Sequence, residues 1–322
     1  MQKPTTRFLF SLFIFLFTAG VLTASTFRFP TDSKIIYDMR FSSGGEALAI
    51  ADGKTIKVYS FQSRNLLNEF SGVHDTQVMT IALSADSTLL ASGDRSGLLV
   101  LWDLQTGEPL HQWQAHEDII LSADFSHDGE HLGTTGADNK VHLFDVASRE
   151  NIATFTDHTE DVTVIRFQPG GTLMATGGGD SKVILYDRDQ RVMVQELIRH
   201  TDWVRDLAFT SDGNILTTTG DDRLVVSWNI ANLQNIRTRS AVKMLSGWNT
   251  SVDFFHDNQT LLLGSINGRI HIQTSVGKMT HKVRKPVNKA LFWSNDGMTL
   301  HVVVATRGRG ILVISASDMK IN

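Results

Sequence analysis

The 322-residue sequence contains no cysteine and only five prolines. Without cysteine, the chain cannot form disulfides, thiolate metal sites or a thiol nucleophile. The scarcity of proline and the absence of a low-complexity tract leave little room for a disordered linker. The charged fraction is 20% and the hydrophobic fraction is 41%, as in an ordinary globular protein. The net charge of −4 does not by itself indicate a partner.

The sequence has one long hydrophobic run, which lies near the N-terminus. Lys3 and Arg7 precede an uninterrupted apolar segment, residues 8–24. This arrangement predicts a signal peptide over residues 1–24 and an exported protein, periplasmic or extracellular. An uncleaved membrane anchor is the alternative, although the run is a little short for a bilayer span. Residues 25–322 are predicted to form a single domain.

Side chains of three kinds recur at a constant spacing of 42 residues. The histidines are His74, His116, His158 and His200. The hydroxyl residues are Ser92, Thr134, Thr176 and Thr218, and the aromatic residues are Trp102, Phe144, Tyr186 and Trp228. A catalytic triad occurs once per active site, whereas a set repeated in register belongs to a folding unit. A period of 40 to 45 residues is typical of a β-propeller blade.

The repeat extends beyond these four copies. One apolar position recurs at Phe41, Leu83, Phe125, Phe167, Phe209, Phe254 and Trp293, and seven similar turns follow, from residues 43–45 to residues 295–297. Short β-branched runs separated by turn residues predict an all-β chain. We therefore predict a seven-bladed propeller of four-stranded antiparallel blades.

The stretch "HTDWVRDLAFTSDGNILTTTGDDRLVVSWN" (200–229) and its three copies resemble the WD-repeat (tryptophan–aspartate repeat) β-propeller family. The resemblance covers nearly all of residues 26–322. It implies that each sequence repeat is staggered against the blades, and that an N-terminal strand completes the last blade. Residues 26–30 are predicted to pair there, beside a third strand at residues 311–316.

The resemblance also implies a hydrogen-bonded chain of His, Ser/Thr, Asp and Trp within a blade. Blade 5 has the full set, with Asp222 beside His200, Thr218 and Trp228. The aspartates expected in blades 4 and 3 are Asp180 and Asp138, but Tyr186 and Phe144 replace the tryptophan. Blade 2 has Ser96 at the aspartate position, so its chain is expected to be incomplete. A Ser/His/Asp hydrolase or a metal site is the alternative; since the repeat favours the structural interpretation, no catalytic residue, metal or cofactor is expected.

The charge is unevenly distributed. Residues 237–322 contain twelve Lys and Arg against four Asp, a net charge of +8, whereas the remaining residues have a net charge of −12. The basic sector is predicted at Lys278, Lys282, Arg284, Lys285 and Lys289. Such a sector can steer an anionic partner, for example an acidic protein, a lipid headgroup or a polysaccharide. Nucleic acid is not expected for an exported chain.

An apolar arc is predicted at the starts of the innermost strands of blades 5, 6, 7 and 1. The resemblance places these positions on one face of the ring, together with Arg95 and Asp221. The arc contains Trp203, Trp248, Val287 and Ile35. Exposed aromatic clusters mark binding surfaces. The sequence thus favours a non-catalytic scaffold that binds a protein or peptide partner; a small-ligand site or an enzyme site in the central channel is the alternative.

Overall fold

The computed structural model describes residues 27–243, 247–274, 277–294, 300–308, 310–315 and 320–321. Seven antiparallel sheets follow one another along the chain, one for each predicted unit. The predicted seven-bladed propeller is confirmed. The predicted signal peptide and the turn at residues 295–297 lie outside the described residues.

In blades 1 to 6, four consecutive strands run in sequence order from the central channel outward, whereas the last blade takes its outermost strand from the start of the described chain. The chain begins with β1 (Phe27–Phe29). Blade 1 contains β2 (Met39–Phe41), β3 (Ala47–Asp52), β4 (Thr55–Ser60) and β5 (Leu66–Phe70). Blade 2 contains β6 (Val78–Leu83), β7 (Leu89–Asp94), β8 (Leu98–Asp103) and β9 (Pro109–Gln114). Blade 3 contains β10 (Ile120–Phe125), β11 (His131–Gly136), β12 (Val141–Asp145) and β13 (Glu150–Phe155).

The second half of the ring repeats this order. Blade 4 contains β14 (Val162–Phe167), β15 (Leu173–Gly178), β16 (Lys182–Asp187) and β17 (Val192–Ile198). Blade 5 contains β18 (Val204–Phe209), β19 (Ile215–Gly220), β20 (Leu224–Asn229), a short 3₁₀ helix (Leu233–Asn235) and β21 (Arg237–Lys243). Blade 6 contains β22 (Asn249–Phe254), β23 (Leu261–Ser265), β24 (Arg269–Gln273) and β25 (Lys278–Lys282). The remaining strands are β26 (Val287–Trp293), β27 (His301–Thr306), β28 (Gly310–Ser315) and β29 (Lys320–Ile321).

The ring is closed by the first strand. β1 pairs antiparallel with β28, with Phe27 opposite Val313 and Phe29 opposite Ile311, and so becomes the outermost strand of blade 7. This confirms the predicted closure. The sequence did not predict that β29 adds a fifth strand to blade 6 by pairing with β25.

The hydrophobic core is divided into seven clusters, each shared by two consecutive blades. The cluster between blades 4 and 5 contains twelve buried residues, including Leu185 and Trp228. The cluster between blades 5 and 6 has four buried members, Ala208, Val225, Val252 and Leu263. Because the apolar sides of each sheet are covered by its neighbours, closing the ring buries blade 7 against blade 1.

Candidate functional site

The predicted hydrogen-bonded chain is complete in blade 5. Trp228 Nε1 donates to Thr218 Oγ1 over 3.3 Å, and Thr218 Oγ1 lies 2.7 Å from His200 Nε2. His200 Nδ1 lies 2.9 Å from a carboxylate oxygen of Asp222. An imidazole that donates to a carboxylate through Nδ1 leaves Nε2 as an acceptor, so the hydroxyl donates to the histidine and accepts from the indole.

Blade 2 has a complete chain, which corrects the expectation drawn from Ser96. Trp102 Nε1 and His74 Nε2 lie 2.8 and 2.6 Å from Ser92 Oγ, and His74 Nδ1 lies 2.8 Å from Asp94. Asp94 precedes Ser96 by two residues and replaces the missing aspartate. Burial opposes its ionisation, but hydrogen bonds from His74 and Ser96 outweigh burial and lower the pKa of Asp94 to about 2.

The aspartate that pairs with the histidine comes either from the position of Asp94 or from the position two residues further on. The glycines that other blades have at the position of Asp94 explain why one blade does not use both. In blade 3 the equivalent residue is Gly136, where an added Cβ would lie 2.5 Å from His116 Nδ1. Asp138, two residues further on, reaches that nitrogen at 2.8 Å, and Thr134 contacts Nε2 at 2.9 Å. A carboxylate from either position can fill the site, but not both.

The aromatic residue of the hydrogen-bonded chain differs from blade to blade. In blade 4, His158 contacts Thr176 at 2.8 Å and Asp180 at 3.0 Å, but the buried Tyr186 hydroxyl has no hydrogen-bond partner of ordinary geometry among the described residues. In blade 3, Phe144 has no donor to offer. The chain of blade 3 therefore has three members, whereas in blade 4 the Tyr186 hydroxyl still interacts with Thr176, which opposes the rise that burial causes in its pKa.

A second histidine accompanies the chain of blade 3. The His142 ring lies 4.5 Å from that of His116, and burial, with the charge of His116 second, lowers the pKa of His142 to about 4. Ligand atoms of His116, Asp138 and His142 lie within 4.8 Å of one another, so these residues could hold a metal ion. A second such group in the described part of the chain is the surface set Asp128, Glu130 and His131.

The Ser92–His74–Asp94 geometry is that of a nucleophile with its base. However, Ser92 is fully buried, and its hydroxyl already accepts from Trp102. The same arrangement recurs in consecutive blades, each time beneath the surface. These contacts position strands.

The central channel contains charged side chains that sequence reasoning missed. Asp206 is 3% exposed and lies 2.9 Å from Arg166 Nη2 and 2.6 Å from Lys289 Nζ. Burial opposes its ionisation, yet the charges of Lys289 and Arg166 lower the pKa of Asp206 below its ordinary value. Asp206 and Lys289 occupy the same position, the third residue of their innermost strands, but most blades have a neutral side chain there, so the repeat did not indicate the ion pairs.

Acidic side chains in the channel also link neighbouring blades. Carboxylate oxygens of Asp38, Asp124 and Asp253 accept from the backbone N–H groups of Ile81, Phe167 and Phe292. Each bond joins the innermost strand of one blade to that of the next. One cavity in the channel measures about 100 Å³ and another, at the C-terminal ends of the innermost strands, about 250 Å³, and both are below the 300–1,000 Å³ usual for ligand pockets.

The structure corrects one member of the predicted apolar arc. At the start of the innermost strands of blades 2 to 7, a backbone carbonyl accepts from the hairpin of the same blade, as Trp203 does from Asp221 and Trp248 from Ile266. In blade 7 this carbonyl belongs to Pro286, which accepts from Arg307. Val287 is one residue further on and fully buried, because its side chain points into the core between blades 6 and 7.

The remaining members of the arc differ in exposure. Ile35 is half-buried and bridges to Arg307. Trp203 is half-buried: the Arg205 guanidinium lies 4.6 Å above its ring, and a Cβ on Gly179 would lie 3.0 Å from the indole. Trp248 is 51% exposed.

The two charged residues predicted on this face differ as well. Asp221 is buried and forms a two-point ion pair with Arg205. Arg95 is exposed, and its backbone N–H donates to the Gln77 carbonyl. Asp221 therefore orients Arg205 over Trp203.

A surface cavity of about 480 Å³ adjoins Trp248 between blades 5 and 6. Its walls include Asp202, Asp221 and Arg223 of blade 5. It opens at the junction whose core cluster has four buried members among the described residues.

The basic sector loses one member. Lys289 is 7% exposed and paired with Asp206 inside the channel, so it does not contribute to a surface patch. Lys282, Arg284 and Lys285 are exposed, and Lys278 is half-buried. Burial, and then the charge of Arg269, lowers the pKa of Lys278.

A family model described as "WD domain, G-beta repeat" matches residues 65–103, 107–145, 149–187 and 191–229. The chain belongs to the WD-repeat β-propeller family. Each match begins near the outermost strand of one blade and ends with the third strand of the next, which is the stagger that the resemblance implied. A solved structure titled "Crystal structure of RRP9 WD40 repeats" superposes with a TM-score of 0.78 over 92% of this chain and 97% of that chain. Its 17% sequence identity shows the fold alone.

Curated relatives match this WD-repeat chain over short segments. Autophagy-related protein 16 of Arabidopsis thaliana is 29% identical over 109 residues, which are 34% of this chain and 21% of the relative. U3 small nucleolar RNA-interacting protein 2 of Homo sapiens is 34% identical over 62 residues, which are 19% and 13%. The chain thus spans about a fifth, or less, of the length of these relatives.

The prediction of an exported protein is wrong by this comparison. The relatives are named for processes and molecules inside the cell, such as autophagy, a small nucleolar RNA and, in Phaeosphaeria nodorum, translation initiation. The expectation against nucleic acid rested on export and loses that support. Within the described ranges, no helix is long and apolar enough to cross a membrane.

Proposed function

We propose that this WD-repeat protein is a non-catalytic scaffold that binds a protein or peptide partner through the face at the junction of blades 5 and 6. The observation that carries the proposal is Trp248, which is 51% exposed beside a cavity of about 480 Å³. Tryptophan is among the residue types most enriched at binding hot spots, and the indole of Trp248 is half exposed next to a concave surface. Large exposed apolar surface is otherwise unfavourable on a soluble protein.

Trp203 and Arg205 support this site from the side. The ion pair of Arg205 with Asp221 and its stacking on Trp203 hold three side chains in one geometry. A pre-organised surface loses less conformational entropy when a partner binds. The channel offers less room, since its cavities of about 100 and 250 Å³ are smaller than the one beside Trp248.

The test is a pull-down from an extract of the source organism with three full-length baits: the wild type, Trp248→Ala and Ile198→Ala. Ile198 is a matched control because it is 73% exposed and lies on the outermost strand of blade 4. A protein captured by the wild type and Ile198→Ala but reduced at least tenfold with Trp248→Ala supports the proposal. Equal capture by all three baits means that the partner binds elsewhere.

A further inference from the structure

A cleft of about 340 Å³ lies between the outer strands of blades 6 and 7. Its cationic wall consists of Arg28 on β1, with His281, Lys282 and Arg284 on and after β25. Arg28, Lys282 and Arg284 are exposed. Closing the ring brings Arg28 beside residues that follow it by more than 250 positions in the sequence.

Among the described residues, the positive charge of this cleft has no acidic counter-ion. No Asp or Glu is among the described residues that line it. None of the ion pairs formed within the described ranges involves Arg28, Lys282 or Arg284. Like charges gathered without counter-ions repel each other and attract anions.

Further cations surround the cleft. Arg269 and Lys278 lie on β24 and β25, the two outer strands of blade 6. His271 on β24 stays neutral, because burial and these two charges lower its pKa to about 4. The whole outer part of blade 6 therefore carries a positive potential.

The floor of the cleft is apolar. Val283, Leu312 and Ile314 line it and are 5%, 6% and 2% exposed. A ligand that fills the cleft thus meets charges at the rim and aliphatic side chains below. This combination suits an apolar side chain flanked by carboxylates.

The shape of the cleft favours a polypeptide over other polyanions. No Phe, Tyr or Trp is among the described residues that line it, whereas sites for single-stranded nucleic acid use aromatic stacking platforms. Its apolar floor is recessed, whereas a membrane surface requires apolar side chains that project.

We propose that this cleft binds an acidic segment of a protein partner. Carboxylates of the segment pair with Arg28, Lys282 and Arg284. One apolar side chain between those carboxylates packs on Leu312 and Ile314. The site is separate from the face at Trp248, so it would give the scaffold a second binding surface.

The test uses the full-length protein and a fluorescently labelled peptide in which one leucine is flanked by two glutamates on each side. Fluorescence anisotropy gives its Kd for the wild type, for Arg28→Glu/Lys282→Glu/Arg284→Glu, and for the control Lys54→Glu/Arg191→Glu/Arg199→Glu. The control makes the same charge change at exposed residues, and Arg191 has the same left-handed backbone conformation as Arg284. Circular dichroism confirms that each variant is folded, and Lys282→Gln/Arg284→Gln serves as a milder second variant.

We expect the cleft variant to weaken binding at least tenfold and the control less than twofold. Replacing the leucine of the peptide by serine should weaken binding several-fold, because the apolar floor then has no partner. Trp248→Ala should leave the Kd unchanged, which separates this proposal from that of the function. The proposal is overturned if the wild type does not bind the peptide, if both triple variants bind it equally, or if the cleft prefers a single-stranded RNA 12-mer or phosphatidylserine vesicles.

Discussion

Thr218→Val tests whether the hydrogen-bonded chain of blade 5 stabilises the fold. The Thr218 side chain is fully buried, and its hydroxyl is the only described partner of both His200 Nε2 and Trp228 Nε1. Valine has nearly the same shape but no hydroxyl. Both nitrogen atoms would therefore lose their partner where water cannot replace it.

The expected cost follows from the two groups left unsatisfied. Each buried polar group without a partner costs about 1–3 kcal/mol. Valine gains some apolar burial in return, so we expect a loss of about 2–4 kcal/mol in the free energy of unfolding. Urea unfolding, followed by tryptophan fluorescence, measures this difference as a shift of the midpoint at unchanged slope.

Thr219→Val is the matched control. Thr219 is the next residue, it is also fully buried, and its hydroxyl has no hydrogen-bond partner in the described structure. The same substitution there should leave stability unchanged or slightly increase it. If both variants lose the same stability, or if Thr218→Val loses less than about 0.5 kcal/mol, the hydrogen-bonded chain does not stabilise the fold as argued.

Three further predictions concern the channel and the ring closure. Burial raises the pKa of Asp253 to about 6. Between about pH 4 and pH 6 the folded chain therefore keeps a proton that the unfolded chain releases, and stability falls as the pH rises through this range. Asp253→Asn should remove this fall and add on the order of 1–2 kcal/mol at pH 7.5 but little at pH 4, measured by thermal melts at both pH values. Lys289→Met leaves Asp206 without one of its buried counter-charges and should lower the free energy of unfolding by about 3 kcal/mol. The double variant Lys289→Met/Asp206→Asn should recover part of this loss, and an unchanged Tm for Lys289→Met would contradict the role of the pair. Phe29→Ala, on the closing strand and 3% exposed, should cost about 3–4 kcal/mol in urea unfolding, whereas Leu67→Ala, 59% exposed, should cost almost nothing.

The periodic features of the structure could be predicted because each blade is a local unit. The spacing of His74, His116, His158 and His200 placed the histidines of four hydrogen-bonded chains correctly. The role of residues 26–30 as a closing strand was also predictable, since the last of the seven blades needs a fourth strand. Repeats stack only on their neighbours, so a pattern read in one blade holds for the next.

Single positions near the edge of the pattern were less predictable. Ser96 suggested a broken chain in blade 2, but Asp94 reaches the same nitrogen from a different strand position. Val287 was assigned to the surface because the register of blade 7 was misjudged by one residue. The three-residue insertion before blade 6 and the faint repeat in blade 7 obscured that register. In a strand, such a shift moves a side chain to the opposite face.

The sequence by itself determined the number of blades and their strand order, because these follow from a local period of about 42 residues, and its resemblance to the WD-repeat family implied the closing strand and the polar chains. Only the tertiary structure decided which side chains from different blades meet. Lys289 belongs to the basic stretch of the sequence, yet it lies in the channel against Asp206. Arg28 lies far from that stretch in the sequence, yet it joins Lys282 and Arg284 at the cleft. Ring closure produces both results, because it places residues side by side according to strand position and not according to their distance along the chain.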